Sequence, residues 1–142
     1  MSEFFGLYIK DSLSFQSAAF FGEADFSQCV FEKGVFFHGV KFFQESKFYM
    51  TLFKHNVYFN SGVYFYGSAH FFNTKFMNIA TFDNAEFYKE SEFYNTQFEN
   101  ITTFKNIKSL NNLNFSDSLF LEDTNFENAV FQKLINLKNV TF

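Results

Sequence analysis

Phenylalanine recurs along this chain at intervals of five and six residues. From Phe26 through Phe31, Phe37, Phe42, Phe48 and Phe53 to Phe59 the steps are 5, 6, 5, 6, 5, 6. The rhythm continues through Phe65, Phe71, Phe76, Phe82, Phe87, Phe93 and Phe98 to Phe104, with an occasional doubled step. It reaches back to Phe21, Phe15, Ile9 and Phe4. It reaches forward to Leu110, Phe115, Leu121, Phe126, Phe131, Leu137 and Phe142. In that frame there are 26 centres, 22 of them Phe and the other four Leu or Ile. A helix cannot use such a pattern. At about 100° per residue, a step of five turns by about 140° and a step of two by about 200°, so the rings would be scattered around its surface. Phe, Val, Thr and Tyr also favour strands.

A second rule holds two residues before each centre, where small or aliphatic side chains stand: Ala24, Cys29, Val35, Val40, Val57, Ala69, Ala80 and Thr102 are examples. Two inward positions separated by one polar residue describe a short extended segment, because strand side chains alternate between faces. The residues after each centre are polar, with Asn prominent at Asn78, Asn84, Asn95, Asn100, Asn106, Asn112 and Asn128. Asn and Gly suit corners that need turn or left-handed backbone. A unit this short must turn the chain and leave the next unit to form another wall. Coil then stacks on coil, which makes a β-solenoid.

The segments Ala24–Lys33 (ADFSQCVFEK) and Thr74–Asn78 (TKFMN) resemble the pentapeptide-repeat family. That family's unit has a small residue, a polar residue, a central Leu or Phe and two polar residues. The likeness recurs along the whole chain. Its Phe-rich branch with an 11-residue double unit is the nearest form. The resemblance implies an all-β fold, a right-handed quadrilateral β-helix of about six and a half coils of roughly 22 residues. The residues beyond the five-residue unit (Ala18, Gly34, Glu45, Asn56, Gly62, Ser68, Ile79 and Glu90) are expected at widened corners. No stretch of 1–142 lies outside the frame, so a single solenoid domain is expected, whole or as a fragment of a longer chain.

With four units per coil, every fourth centre shares a wall. One wall is expected to hold Phe4, Phe26, Phe48, Phe71, Phe93, Phe115 and Leu137, and the next Ile9, Phe31, Phe53, Phe76, Phe98, Leu121 and Phe142. The third takes Phe15, Phe37, Phe59, Phe82, Phe104 and Phe126. The fourth takes Phe21, Phe42, Phe65, Phe87, Leu110 and Phe131. In this frame Lys108 falls at an inward position, so a local bulge that frees its ammonium is expected, because burying an unpaired charge is costly.

Few residues suggest chemistry. Cys29 falls inward and reads as a small hydrophobe, since a reactive thiol needs exposure and an electropositive setting. A single Cys in 142 residues also excludes a disulfide scaffold. His38, His55 and His70 fall at three different phases of the unit, so they do not converge as metal ligands must. No glycine-rich phosphate loop or zinc motif occurs. Asn100-Ile101-Thr102, Asn114-Phe115-Ser116 and Asn139-Val140-Thr141 match the glycosylation pattern, which the repeat generates by itself. No catalytic, cofactor-binding or metal site is therefore expected, and the chain does not read as an enzyme.

The outward aromatics are the functional lead. Six Phe fall off-centre in this frame: Phe5, Phe20, Phe36, Phe43, Phe72 and Phe120. Stacking by one coil aligns Tyr49, Phe72 and Tyr94 in one column, Phe43, Tyr66 and Tyr88 in a second, and Phe36 with Tyr58 in a third. Contiguous exposed aromatic area marks interaction surfaces, and the same columns also stabilise neighbouring strands. The expected function is a non-enzymatic structural or protein-interaction module with an unidentified protein partner. The family resemblance implies an alternative, a duplex-DNA mimic that binds type II topoisomerase (gyrase) and protects it from quinolones. A net charge of −4 with interspersed lysines is thin for that role. It also argues against direct nucleic-acid binding. No membrane-spanning run and no signal peptide is visible, so the cytoplasm is the expected location. The chain starts and stops inside the repeat, and uncapped coils associate. A homodimer through the ends is the expectation if the chain is not a fragment.

Overall fold

The computed structural model describes residues 1–142. The backbone contains no helix and 25 strands of two residues each. These strands form four parallel sheets, one of seven strands and three of six, and in each sheet every fourth strand in sequence is a neighbour. The chain is thus a four-walled β-solenoid of about six turns. Partners along each wall are 22 residues apart, as in Ser2 with Ala24 and Leu52 with Val30. Where the coil crosses residues 60–62 the separation is 23, as in Ser46 with Ala69 and Leu52 with Lys75.

The interior is a lattice of benzyl rings. In the first wall Phe26, Phe48, Phe71 and Phe93 stack with centroids 5.1, 4.6 and 4.6 Å apart and planes within 5°. In the third wall Phe37, Phe59, Phe82 and Phe104 stack at 4.5, 5.0 and 4.9 Å. These two columns meet edge to face: Phe59 lies 5.4 Å from Phe48 and 5.5 Å from Phe71, at 89° and 90°. The second wall adds Phe31, Phe53, Phe76, Phe98 and Phe120, and the fourth adds Phe20, Phe42, Phe65 and Phe87. Both geometries suit the ring quadrupole, and each buried Phe is worth roughly 1.5–3 kcal/mol over exposure.

Three expected centres are displaced by one residue. Phe20 is 8% exposed and Phe21 75%; Phe120 is 2% exposed and Leu121 55%. Ser109, not Leu110, faces inward beneath Phe131, and Ile107 fills the small-residue position. Lys108 therefore does not force a bulge. It sits on the outer face of the strand Lys108–Ser109 and pairs with Glu86 at 3.2 Å. Phe20 and Phe120 leave the set of outward aromatics, and Phe21 joins it. Ala18 likewise is no corner insertion but an inward residue packed against the core. With these shifts the five-six alternation runs unbroken except at Phe59 to Phe65, which is six residues where five would follow.

The two step lengths make two kinds of corner. After the first and third walls the backbone turns through positive φ two residues past the centre. This occurs at Ser17, Gln28, Met50, Asn73, Asn84, Asn95, Asn106, Asp117, Asn128 and Asn139, and at Gly6 and Gly39. The centre's carbonyl accepts from the N–H three residues on, as at Phe26 to Cys29 (3.2 Å) and Phe82 to Ala85 (3.0 Å). That is the geometry of a turn with left-handed backbone at its third residue, where Asn is tolerated. Asn78 and Asn100 occupy the other kind of corner, without positive φ; their side chains accept from the N–H of Ile79 and Ile101 at 3.0 and 2.8 Å. The one extra residue sits at Ser61–Gly62, both with positive φ.

The inward small position of the second wall carries a polar ladder. The hydroxyls of Thr51, Thr74 and Thr96 donate to the carbonyls of Phe26, Phe48 and Phe71 at 2.8, 2.5 and 2.6 Å. Ser118 does the same to Phe93. The Cys29 thiol lies 2.8 Å from the Phe4 carbonyl. Each coil is thereby tied to the one before it by a bond that water cannot replace.

Two measurements test this architecture. Phe120→Ala is expected to cost about 3–5 kcal/mol in chemical denaturation and Leu121→Ala within about 0.5 kcal/mol; equal costs would return the frame to Leu121. At Gly67 an added Cβ would lie 2.3 Å from the carbonyl carbon of Gln44. Gly67→Ala is expected to destabilise by about 2–3 kcal/mol, because backbone must move to admit the methyl.

Candidate interaction surface

The outer face repeats with the core. Each strand presents one outward residue, and the residue after each centre presents another. One residue type therefore lines up above its counterpart in the next coil. Polar columns form ion pairs along the rod: Lys54 with Glu32 at 2.6 Å, Lys75 with Glu99 at 2.7 Å, and Lys47 with Glu23 at 3.2 Å. Such surface pairs are worth little individually.

The rings of all three expected aromatic columns lie against one another, though not every pair is stacked. Phe36 and Tyr58 stack at 5.2 Å on the third wall, with His38 against both rings. On the first wall Phe72 and Tyr94 stack at 5.2 Å, while Tyr49 meets Phe72 edge-on at 6.4 Å. On the fourth wall Phe43, Tyr66 and Tyr88 follow one another at 5.2 and 4.8 Å. The corrected frame adds Phe21 beneath Phe43 at 5.1 Å, so this ladder has four rings. Strict alternation of five and six places Phe21 outside, where the looser frame had put it inside. Tyr64 stands beside Tyr66 at 5.8 Å and widens the strip.

Among the columns the fourth-wall ladder is the longest and the most exposed. Its Phe21 and Phe43 are exposed, while its Tyr66 and Tyr88, like Tyr49, Phe72, Tyr94, Phe36 and Tyr58 of the other columns, are half-buried. The orientation of its rings decides what it can hold. Phe21, Phe43 and Tyr66 lie face to face along the rod axis, with neighbouring planes 6° and 18° apart, and Tyr88 is tilted by 36° against Tyr66, so the ring faces largely cover one another. Ligands that need a ring face, such as a nucleobase or a quaternary ammonium ion, find most of each face covered by the neighbouring ring. Edges and phenol hydroxyls suit apolar and aromatic side chains of a protein partner.

Charge is woven through the same wall. Lys41, Tyr64, Glu86 and Lys108 form the column beside the ladder. Glu86 accepts from the Tyr88 hydroxyl at 2.7 Å and from Lys108 at 3.2 Å. The Glu86 hydrogen bond holds the neutral phenol and, with lesser help from desolvation, pushes the Tyr88 pKa up to about 12.

The remaining candidates stay apart. Cys29 is fully buried, and burial pushes its thiol pKa up. His38 lies on the third wall beside Asn60, and His70 on the first wall 3.0 Å from Glu92. His55 sits at the corner between the second and third walls. No group of three His, Cys, Asp or Glu side chains is placed to hold a metal ion. At one end of the solenoid Phe126, Phe131, Ile135, Leu137 and Phe142 line an apolar hollow of about 270 Å³.

No family model, curated protein or solved structure matches this chain.

Spectrophotometric titration tests the Glu86–Tyr88 contact. A raised folded-state pKa means that the contact supports the fold fully below the unfolded value near 10 and loses that support as pH rises through about 12. One tyrosine should ionise near 12, and either Tyr88→Phe or Glu86→Gln should remove that component. Its persistence in both variants would refute the contact.

Proposed function

We propose that this chain is a non-enzymatic protein-binding solenoid of the pentapeptide-repeat kind, a right-handed quadrilateral β-helix whose working surface is the aromatic strip of the fourth wall. The observation that carries the reading is the four-ring ladder of Phe21, Phe43, Tyr66 and Tyr88 on the outer face. A ladder kept only for stability would gain from being covered. This one leaves Phe21 75% exposed and continues into Leu110. The columns of Tyr49, Phe72 and Tyr94, and of Phe36 and Tyr58, are secondary contact sites on the first and third walls.

A second reading, the duplex mimic for type II topoisomerase, finds one supporting observation. Glu3, Glu23, Asp25, Glu45, Glu90 and Glu92 gather on the first wall and the corner leading into it. The column is nevertheless broken in its middle. Lys47 pairs with Glu23 and Glu45, and His70 stands above it. A phosphate-like row needs uninterrupted negative charge, so the first reading is preferred.

The test is affinity capture from cell extract with topoisomerase scored among the bound proteins. Wild-type protein should retain a partner that Phe43→Lys/Tyr66→Lys loses, with the far-ultraviolet spectrum of the variant unchanged. Capture of topoisomerase, lost on substituting Glu23, Glu45 and Glu92 by Lys but kept in the aromatic variant, would replace this reading with the mimic.

A further inference from the structure

Lys41 is an exposed cation on the fourth wall that forms no ion pair within the molecule. Its column reads Ala19, Lys41, Tyr64, Glu86, Lys108, Val130. The parallel column reads Phe21, Phe43, Tyr66, Tyr88, Leu110, Gln132. Both are straight, in register and about 4.8 Å per rung, so the wall is a flat face of the kind that packs on another sheet.

A second copy turned about an axis along the strand Tyr64–Phe65 lays each column on itself in reverse. Lys41 then faces Glu86 of the other copy, twice. Phe43 faces Tyr88, Phe21 faces Leu110, Tyr64 faces Tyr64, and Tyr66 faces Tyr66. Sliding by one rung in one direction sets Lys41 against Lys108; sliding by two rungs in that direction sets Glu86 against Glu86. Turning the copy about the rod axis instead sets Lys41 on Phe43. One register alone matches apolar rungs with apolar rungs and the free cation with the acid.

From this complementarity we infer that the fourth wall is a self-association face, on which a second copy of the chain docks antiparallel about Tyr64 and Tyr66. The inference rests on the protein-binding reading above and names its partner. Five rungs of ~4.8 Å give a contact about 24 Å long and roughly 350 Å² per copy, below the ~800 Å² of a standard interface. The dimer is therefore transient and exchanges readily, which a covalent trap reads better than an elution profile.

Tyr66→Cys places one accessible thiol on the dimer axis, with Cys29 shut away in the core. Mild oxidation should give a covalent dimer at a rate at least tenfold above that of Thr103→Cys, a control on the third wall. Adding Lys41→Glu to Tyr66→Cys should cut the rate at least tenfold, as should adding Glu86→Lys. Mixing those two double variants should restore it, because the acids at positions 41 and 86 of one copy then face the lysines at positions 86 and 41 of the other. Restoration also shows that neither variant has lost its fold. Equal rates at Tyr66→Cys and Thr103→Cys, failure of the mixture, or trapping through Leu137→Cys at the solenoid end in place of Tyr66→Cys overturns the inference. If Phe43→Lys/Tyr66→Lys still loses a captured partner while Tyr66→Cys stays monomeric, the second copy is excluded and the protein-binding reading stands. If the aromatic variant loses nothing and Tyr66→Cys stays monomeric, both fall.

Discussion

Face-to-face stacking of phenylalanine along the rod is the constraint from which the other features follow. A benzyl ring thick enough to touch its counterpart one strand spacing away fixes the coil-to-coil distance and keeps the walls in register. Centroids 4.5–5.1 Å apart in the third wall match the backbone ladder that flanks them. Edge-to-face contact between the first and third walls fills the middle of the cross-section, and the flanking columns close its sides. That filling leaves limited room beside each ring, and Ala, Val, Thr, Ser and Cys occupy most of the neighbouring inward positions, with Leu113 beside Phe115 and Ile107 beside the small Ser109 as larger exceptions.

Most of this was legible in the spacing of one residue type. The walls, the coil length and three outer columns follow from the five-six rhythm, because stacked parallel strands carry sequence period directly into space. The sequence is ambiguous where two large apolar residues are adjacent. Neighbours in a strand face opposite ways, so Phe20–Phe21 and Phe120–Leu121 each offer two frames with nearly equal hydrophobicity. At Phe120 the hydroxyl of Ser118 makes the correct frame look poorer than one that buries Leu119; the carbonyl of Phe93 that satisfies it lies a whole coil away in sequence. Lys108 was the available signal. A charged residue at an inward place marks a frame error before it marks a bulge, and moving the frame by one puts Ile107 and Ser109 inside.

The outer surface was less legible for a different reason. Columns can be aligned from sequence, but whether a ring shows its face or its edge depends on side-chain torsions set by the ring below. That distinction separates a platform for planar ligands from a strip for protein side chains. It also explains why Glu86 matters beyond its charge: it joins the charged column to the aromatic one through Lys108 and Tyr88, so the two halves of the fourth wall form one surface. The core contributes nothing of this kind. The inward polar groups of the second wall, from Cys29 to Ser118, bond the backbone of the preceding coil, and those of Ser91, Thr102 and Ser109 bond backbone two residues away.

Nearly all the strand pairing joins residues one coil apart, and no long loop bridges distant coils. Mechanical load applied to the two ends would meet the outermost coils first. Each coil that peels away releases about 22 residues, or roughly 75 Å of extended chain, before the next ring of contacts bears the force. Such a rod would behave as a tether that lets out slack in equal increments and rewinds onto whatever coils remain.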